Sequence, residues 1–497
     1  MKSTKIEIHE SFTDPVIDTY ESRKVGDLYV ELPVYKRGNI EHVVETVRRN
    51  AEKYYKDVGD VKAFGVLQSA LEKWSDRNYE KRRTAVPLLS QVTGFSEENL
   101  EIFGLDSLTE FDVKEMENIK YLVKELLQTK KYDKFHPVEN KGYIRAYGQP
   151  KIKKHREPEI ITHILAGNVV GPPWLSVALG PAGKSGQIIK LPSEDISMLY
   201  FLDTLGEIDS EFRKTIAIGY YPGGAKDVEE VLFKYSDIVN AMGSDETIMA
   251  VEKELKRANK KAVLFSHPNK IGAAIIWPGY EAPEIGELVA WGSSAMDTNA
   301  CFSPMNIYIQ KDKIEKFAKY VAEHLDKIAK FIPPKKSLPV AISVRKYKLE
   351  TLRRKLTDED VKIIEDINGE WTVIVDKSNP YLTPTCQERT IVLKPFNDPK
   401  DVIKYLEPLG KHLQTIGLAI EEKELIKYSD KLGQIGVTNI HVPGAEYVLK
   451  GWEPHDGIFP SVEIELSDNL RWLAVNFQDP DEEMGKALER KRRYVPR

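Results

Sequence analysis

Between Ile160 and Ser266 short apolar runs alternate with helix-forming stretches, and this alternation restricts the chain to a few folds. Ile160-Ile-Thr-His-Ile-Leu-Ala-Gly-Asn168 reads as a strand that ends in small residues and an amide. Gly171-Pro-Pro-Trp174 and a helix-like Leu175–Leu179 follow, then the strand that opens Gln187-Ile-Ile-Lys190-Leu-Pro-Ser193-Glu194. A second unit has a helix at Ile196–Leu205, a strand from Thr215, the turn Gly219–Gly224 and a helix at Asp227–Phe233. The strand Ile238–Met242 then feeds Gly243-Ser244 and a helix from Ile248 to Ala258, and Ala262–Ser266 is a further strand. Strands joined through helices lie parallel, so the prediction is an α/β fold around a parallel sheet. A Gly-Ser turn at a helix start presents free N–H groups beside the positive end of the helix, where phosphate binds well. None of the turns is Gly-x-Gly-x-x-Gly, and taken alone Gly243-Ser244 reads as a plain helix cap.

Only two cysteines occur in 497 residues, which excludes a disulfide framework. Cys301 lies in Asn299-Ala-Cys-Phe-Ser-Pro304, between a helix-like Pro283–Trp291 and the alternating run Met305–Gln310. Such a junction displays side chains to a cleft. A lone free cysteine is more often a buried structural thiol. The phosphate-site pattern upstream moves Cys301 away from that reading, whereas Cys386 has no identifiable oxyanion partner and reads as structural.

The remaining chain divides by pattern. Residues 1–141 read as a helical block with strand-like Leu28–Val34, and 142–159 as a polar hairpin with its turn at Gly148-Gln-Pro. Residues 160–265 are the expected cofactor-binding core, 266–440 a catalytic α/β part that holds Cys301, and 441–497 a return to the cofactor domain plus a charged tail. Asn368-Gly369 marks a hairpin, and His455-Asp456-Gly457 a turn. A net charge of −5 leaves no basic field for nucleic acid. With no apolar run of signal-peptide or membrane-span length, a soluble cytoplasmic protein is expected.

Several stretches resemble the aldehyde dehydrogenase superfamily. Lys190-Leu-Pro-Ser193-Glu194 resembles its Lys-Pro-Ser-Glu cofactor segment with one residue inserted, Ala241-Met-Gly243-Ser244 its Gly-Ser turn, and Gln387-Glu388-Arg389 its later glutamate segment. Within the superfamily, Ala166–Trp174, Ala300-Cys-Phe-Ser-Pro304 and His455-Asp-Gly457 look most like the LuxC-type acyl-CoA reductases, subunits of fatty-acid reductase complexes.

That resemblance implies an aldehyde dehydrogenase-like fold, with a parallel-sheet dinucleotide-binding domain, an α/β catalytic domain and an oligomerisation hairpin at 142–159. It implies reduction of a fatty acyl-CoA or acyl-protein thioester to the aldehyde. Cys301 would be the acylated nucleophile, and Asn168 an oxyanion donor. Lys190, Ser193, Glu194, Gly223, Gly243, Ser244 and Glu388 would bind NADPH, and no metal is expected. Lys190 suits the 2′-phosphate of NADPH and Glu194 opposes it, and the resemblance tips the choice to NADPH. A homo-oligomer and an acyl-protein synthetase partner would follow. Hydrolytic superfamily members place a glutamate where this chain has Leu264-Phe-Ser-His267-Pro268, so water should deacylate Cys301 slowly. His267, before a proline, reads as a loop residue rather than a substitute base. Two rivals remain: a CoA-acylating aldehyde dehydrogenase for a small aldehyde, and a non-redox cysteine acyltransferase or thioesterase.

Overall fold

The computed structural model describes residues 9–26, 28–154, 157–193, 195–357, 359–464, 466–467 and 470–496. The chain opens with β1 (His9–Ser11), β2 (Tyr20–Val25) and β3 (Leu28–Pro33), a small sheet in the order β1–β3–β2. Helices Ile40–Asp57, Asp60–Ser75, Glu80–Thr93 and Val113–Thr129 follow. The first of them buries Ile40, Val43, Val44 and Val47, one stripe at helical spacing, against the sheet described next. β4 (His136–Val138), β5 (Gly142–Tyr147) and β6 (Lys153–Lys154) complete the N-terminal part.

The alternating segment forms β7 (Ile160–Ile164), β8 (Gly186–Lys190), β9 (Ile216–Gly219), β10 (Ile238–Met242) and β11 (Val263–His267). All five pair in parallel, in the order β11–β10–β7–β8–β9. Every residue of β7 is buried, as expected for a strand covered on both faces. The chain leaves β7 toward β8 and β9, then crosses to β10 and β11 on the other side. The strand order therefore reverses beside β7, and the crevice at the carboxyl ends of these strands is where α/β sheets take ligands.

A second sheet of ten strands holds the rest. Its members are β12 (Ile271–Ile276), β13 (Pro304–Gln310), β14 (Val361–Glu365), β15 (Thr372–Asp376), β16 (Thr390–Phe396), β17 (Leu413–Ala419), β18 (Asn439–His441) and β20 (Arg471–Val475), with β5 and β4 at one edge. The hairpin expected at Asn368-Gly369 is present, β14 pairing antiparallel with β15. Helix Ile314–Phe331 buries a stripe of Ile314, Phe317, Val321, Leu325 and Ile328 at helical spacing. Among the described residues no helix is long and apolar enough to cross a membrane.

One expectation is corrected. Among its described residues segment 142–159 does not pair with itself: β5 lies antiparallel to β20 and β4, while β6 pairs with β19 (Leu466–Ser467) in a separate two-stranded ribbon. Its alternating pattern signalled a half-buried strand and could not name the partner. The segment from residue 441 adds β20 to the ten-stranded sheet and also reaches back to the five-stranded one, where Ile464 packs with Ile161, Ile238 and Phe265.

Candidate active site

Helix Pro283–Ser294 runs into a tight turn in which Met296, Asp297 and Thr298 all have φ between 47 and 67°. Left-handed backbone at three consecutive non-glycine residues is costly and must be held. The small polar residues on either side hold it. The Thr298 hydroxyl donates to the Ser293 carbonyl at 2.7 Å, Ser303 to that of Ala295 at 2.9 Å, and Ser293 to that of Pro304 at 3.0 Å. Asn99, from the N-terminal block, accepts from the Met296 N–H at 3.1 Å and donates to the Asp297 carboxylate at 3.0 Å. This framework delivers Cys301 to the wall of a cavity of about 700 Å³ at the carboxyl ends of β7, β8, β10 and β11.

Cys301 is half-buried. Burial pushes its thiol up to about 12, with a further push from the Asp456 carboxylate, while a hydrogen bond from Gln414 and the Lys270 ammonium pull the other way. These surroundings favour the neutral thiol over the thiolate.

His455 and Asp456 form the expected turn: the N–H of each of His455 and Ile458 donates to the other's carbonyl, at 2.8 and 3.1 Å, around the left-handed Asp456 and Gly457. The turn also faces the cavity. His267 is not in a loop. Its pairing opposite Met242 makes it the last residue of β11, and it is buried. Its Nδ1 lies 2.6 Å from Asp456 Oδ2 and its Nε2 3.0 Å from Asn240 Oδ1, both within hydrogen-bond distance. The His455 ring stacks on it with centroids 3.9 Å apart. Gln414 donates to the other Asp456 oxygen at 2.6 Å, and Lys270 lies 3.9 Å from it. Surrounding protein and His267 hold His455 below the ordinary histidine range, and this donor set carries the Asp456 carboxyl below its usual range against burial. Asn240 in turn donates to His163, whose other nitrogen donates to Gln187 at 3.0 Å, inside the sheet. Potential ligand atoms of His267, His455 and Asp456 lie within 4.8 Å of one another, but both Asp456 oxygens are already hydrogen-bonded.

The cofactor candidates gather at the other end of the cavity. Lys190, Ser193, Gly243 and Ser244 all line it, as does Asn168. The Lys190 ammonium is half-buried, lies 5.3 Å over the Tyr221 ring, and donates a long hydrogen bond, 3.4 Å, to the Leu191 carbonyl. Burial lowers its pKa and the nearby Glu229 raises it. Ser244 caps helix Asp245–Ala258 by accepting from the Thr247 N–H at 3.2 Å. A side chain at Gly243 would press on Thr247 at 3.1 Å, so the cradle at this helix start stays open. A half-buried, weakly bonded ammonium and an open helix start fit a phosphate-bearing dinucleotide. Glu388 stands beside the cavity, reached through Asn299, which donates to it at 3.3 Å. Burial and the Asp297 carboxylate raise its pKa to about 7. Gly223 lies in the turn after β9 and does not line the cavity, and Glu194 lies outside the described residues.

Residues 60–465 match the family model described as acyl-CoA reductase (LuxC). The chain belongs to the LuxC family. It is 23% identical to the long-chain acyl-protein thioester reductase of Photorhabdus laumondii, across 89% of this chain and 87% of that one. Among solved structures, aldehyde dehydrogenase 21 of Physcomitrella patens superposes with a TM-score of 0.62 at 12% identity, covering 95% of this chain and 99% of that one. The NADP-dependent glyceraldehyde-3-phosphate dehydrogenase of Bacillus halodurans does so with 0.57 at 10% identity, over 92% and 96%. The LuxC-family chain therefore has the aldehyde dehydrogenase-like α/β fold that the sequence motifs implied.

The LuxC-family site also contains residues that motif reading missed. Gln414, Lys270 and Asn240 carry no motif: Gln414 and Asn240 lie on β17 and β10, and Lys270 in the short connection before β12. Glu446 is the most informative. It lines the cavity fully buried, with one oxygen accepting from the Gly444 N–H at 2.7 Å and the other without a partner among the described residues. It fits because Gly292 and Gly417 face it, where a methyl group would meet its oxygens at 2.5 and 2.1 Å. Burial raises its carboxyl to about 8, so it is protonated at neutral pH.

Proposed function

We propose that this chain reduces a fatty acyl thioester, carried on CoA or on a protein, to the aldehyde with NADPH, holding the acyl group on Cys301. One observation carries the reading. Cys301, Asn168, Lys190, Ser193, Gly243 and Ser244, distant in sequence, line a single cavity where the order of a parallel sheet reverses.

The Cys301 sulfur attacks the thioester carbonyl, a new carbon–sulfur bond forms, and the bond to the carrier sulfur breaks. Gln414 and Lys270 stabilise the thiolate as its proton leaves. The Asn168 amide, which donates to the Asn299 carbonyl at 3.2 Å, turns to the developing oxyanion, a donor worth about 3–4 kcal/mol. NADPH, when bound, supplies the hydride for the second half of the reaction. Lys190 and Ser193 would meet its adenosine ribose, Gly243 and Ser244 its phosphates, and Glu388 its nicotinamide ribose, with Glu194 assigned to the adenosine ribose by resemblance alone. Hydrolysis is disfavoured because two carboxyls that line the cavity with Cys301 are poor bases. Asp456 has both oxygens engaged, and Glu446 keeps its proton. The chemistry uses no metal. A cytoplasmic homo-oligomer supplied by an acyl-protein synthetase subunit belongs to the same proposal, supported by family resemblance alone.

The test is NADPH consumption on addition of acyl-CoAs of rising chain length, with aldehyde as the product. Free acid formed without NADPH consumption would contradict the reductase reading and support a thioesterase.

A further inference from the structure

One wall of the cavity is apolar. Phe111, Met116, Val169, Leu175 and Leu179 line it, at the end of the cavity formed by the N-terminal block and the turn Pro172–Ala178. Behind that wall lies a second void of about 10 Å³, enclosed by Leu67, Leu71, Val113, Trp174, Ala178 and Phe201. Phe111 and Leu175 line both spaces and form the partition between them. The inner void offers no polar partner. The Trp174 indole N–H, the one polar group among its side chains, donates elsewhere, to the Ser197 hydroxyl at 3.1 Å. An apolar space of this kind stays dry, and filling it with hydrocarbon displaces no bound water.

The partition and its surroundings are built differently. Trp174 stacks on Phe201 with centroids 4.8 Å apart and meets Trp74 edge-on at 4.9 Å, so the far walls are locked by aromatic packing. Phe111 instead sits in the short connection between a single 3-10 turn and helix Val113–Thr129, and Leu175 is only half-buried, facing the cavity.

We propose that Phe111 and Leu175 are the end stop of the acyl channel: the hydrocarbon chain of a Cys301-bound acyl group lies along the apolar wall, and this pair limits its length. The inner void is the space a longer chain enters once either side chain is cut back. The proposal rests on the reductase reading of the site.

The experiment compares kcat/KM for dodecanoyl-CoA and hexadecanoyl-CoA with NADPH, on the full chain. The ratio of the two is the readout, because a general loss of folded protein does not move it. Leu175→Ala and Phe111→Ala are expected to raise the hexadecanoyl-to-dodecanoyl ratio, by about fourfold for each methylene that gains a buried place. Leu175→Trp, which fills the passage instead of opening it, is expected to lower it, so a Phe111→Ala protein that failed to fold would not end the test. A wild type that reduces acyl-CoAs with a ratio that none of the three substitutions moves overturns the end stop alone. A wild type that consumes no NADPH with any acyl-CoA overturns the reductase reading and the end stop together.

Discussion

Asp297 and Arg389, 92 residues apart, are joined twice: the Arg389 N–H donates to the Asp297 carbonyl at 3.1 Å, and its Nε donates to the Asp297 carboxylate at 2.7 Å. Both residues are buried and both have left-handed backbone, with φ of 49 and 51°. The pair ties the turn before Cys301 to the segment that carries Glu388, so one ion pair sets two parts of the site. Removing one member of a buried pair leaves the other charge uncompensated. Arg389→Met should therefore cost about 3–5 kcal/mol in urea unfolding, and the double variant with Asp297→Asn should recover part of that loss. A single-variant cost in the range of an exposed pair, below about 1 kcal/mol, would show that the turn holds itself.

Glu446 makes a prediction about pH. Its carboxyl is raised from 4.5 to about 8 by burial, so across that window the folded protein keeps a proton that the unfolded chain has lost. The unfolded state binds fewer protons there, and stability falls as pH rises through the window, by on the order of 5 kcal/mol in total. Glu446→Gln keeps the shape and has no proton to lose. Its denaturation midpoints should hold up better than those of the wild type toward alkaline pH. Parallel pH profiles for the two proteins would contradict the buried protonated carboxyl.

Cofactor preference should depend on Lys190 and Glu229. Burial and then Glu229 govern the Lys190 ammonium, and burial raises Glu229 while the Gly224 N–H and then Lys190 lower it. Lys190→Ala should reduce kcat/KM for NADPH relative to NADH about ten- to a hundredfold, the range of one charge-assisted contact. Glu229→Gln should shift the ratio toward NADPH, as should Glu194→Gln if that carboxylate also opposes the 2′-phosphate. A ratio unchanged by all three substitutions would move the ribose site elsewhere.

What could be read from the sequence was whatever a local pattern fixes. Lys190, Gly243 and Cys301 were legible because each follows or ends a recognisable element, and the parallel sheet then brings such ends together. Partner choice was not legible. The alternation in Gly142–Tyr147 announces a strand, yet nothing near it says that its partner is Arg471–Val475. His267 was misjudged because a following proline suggests a loop, whereas pairing with β10 keeps it in a strand and hands it to Asp456. Glu446, in a loop between Ala445 and Tyr447, looks like any surface charge. Only its packing against Gly292 and Gly417, on two separate elements, makes it a buried acid.

The central claim is that Cys301 carries the acyl group, and acylation without nucleotide tests it most directly. Labelled tetradecanoyl-CoA added in the absence of NADPH should leave hydroxylamine-sensitive label on the wild type and on Cys386→Ala, and none on Cys301→Ala. Label that persists in Cys301→Ala and disappears in Cys386→Ala would place the nucleophile at the other cysteine and contradict the account.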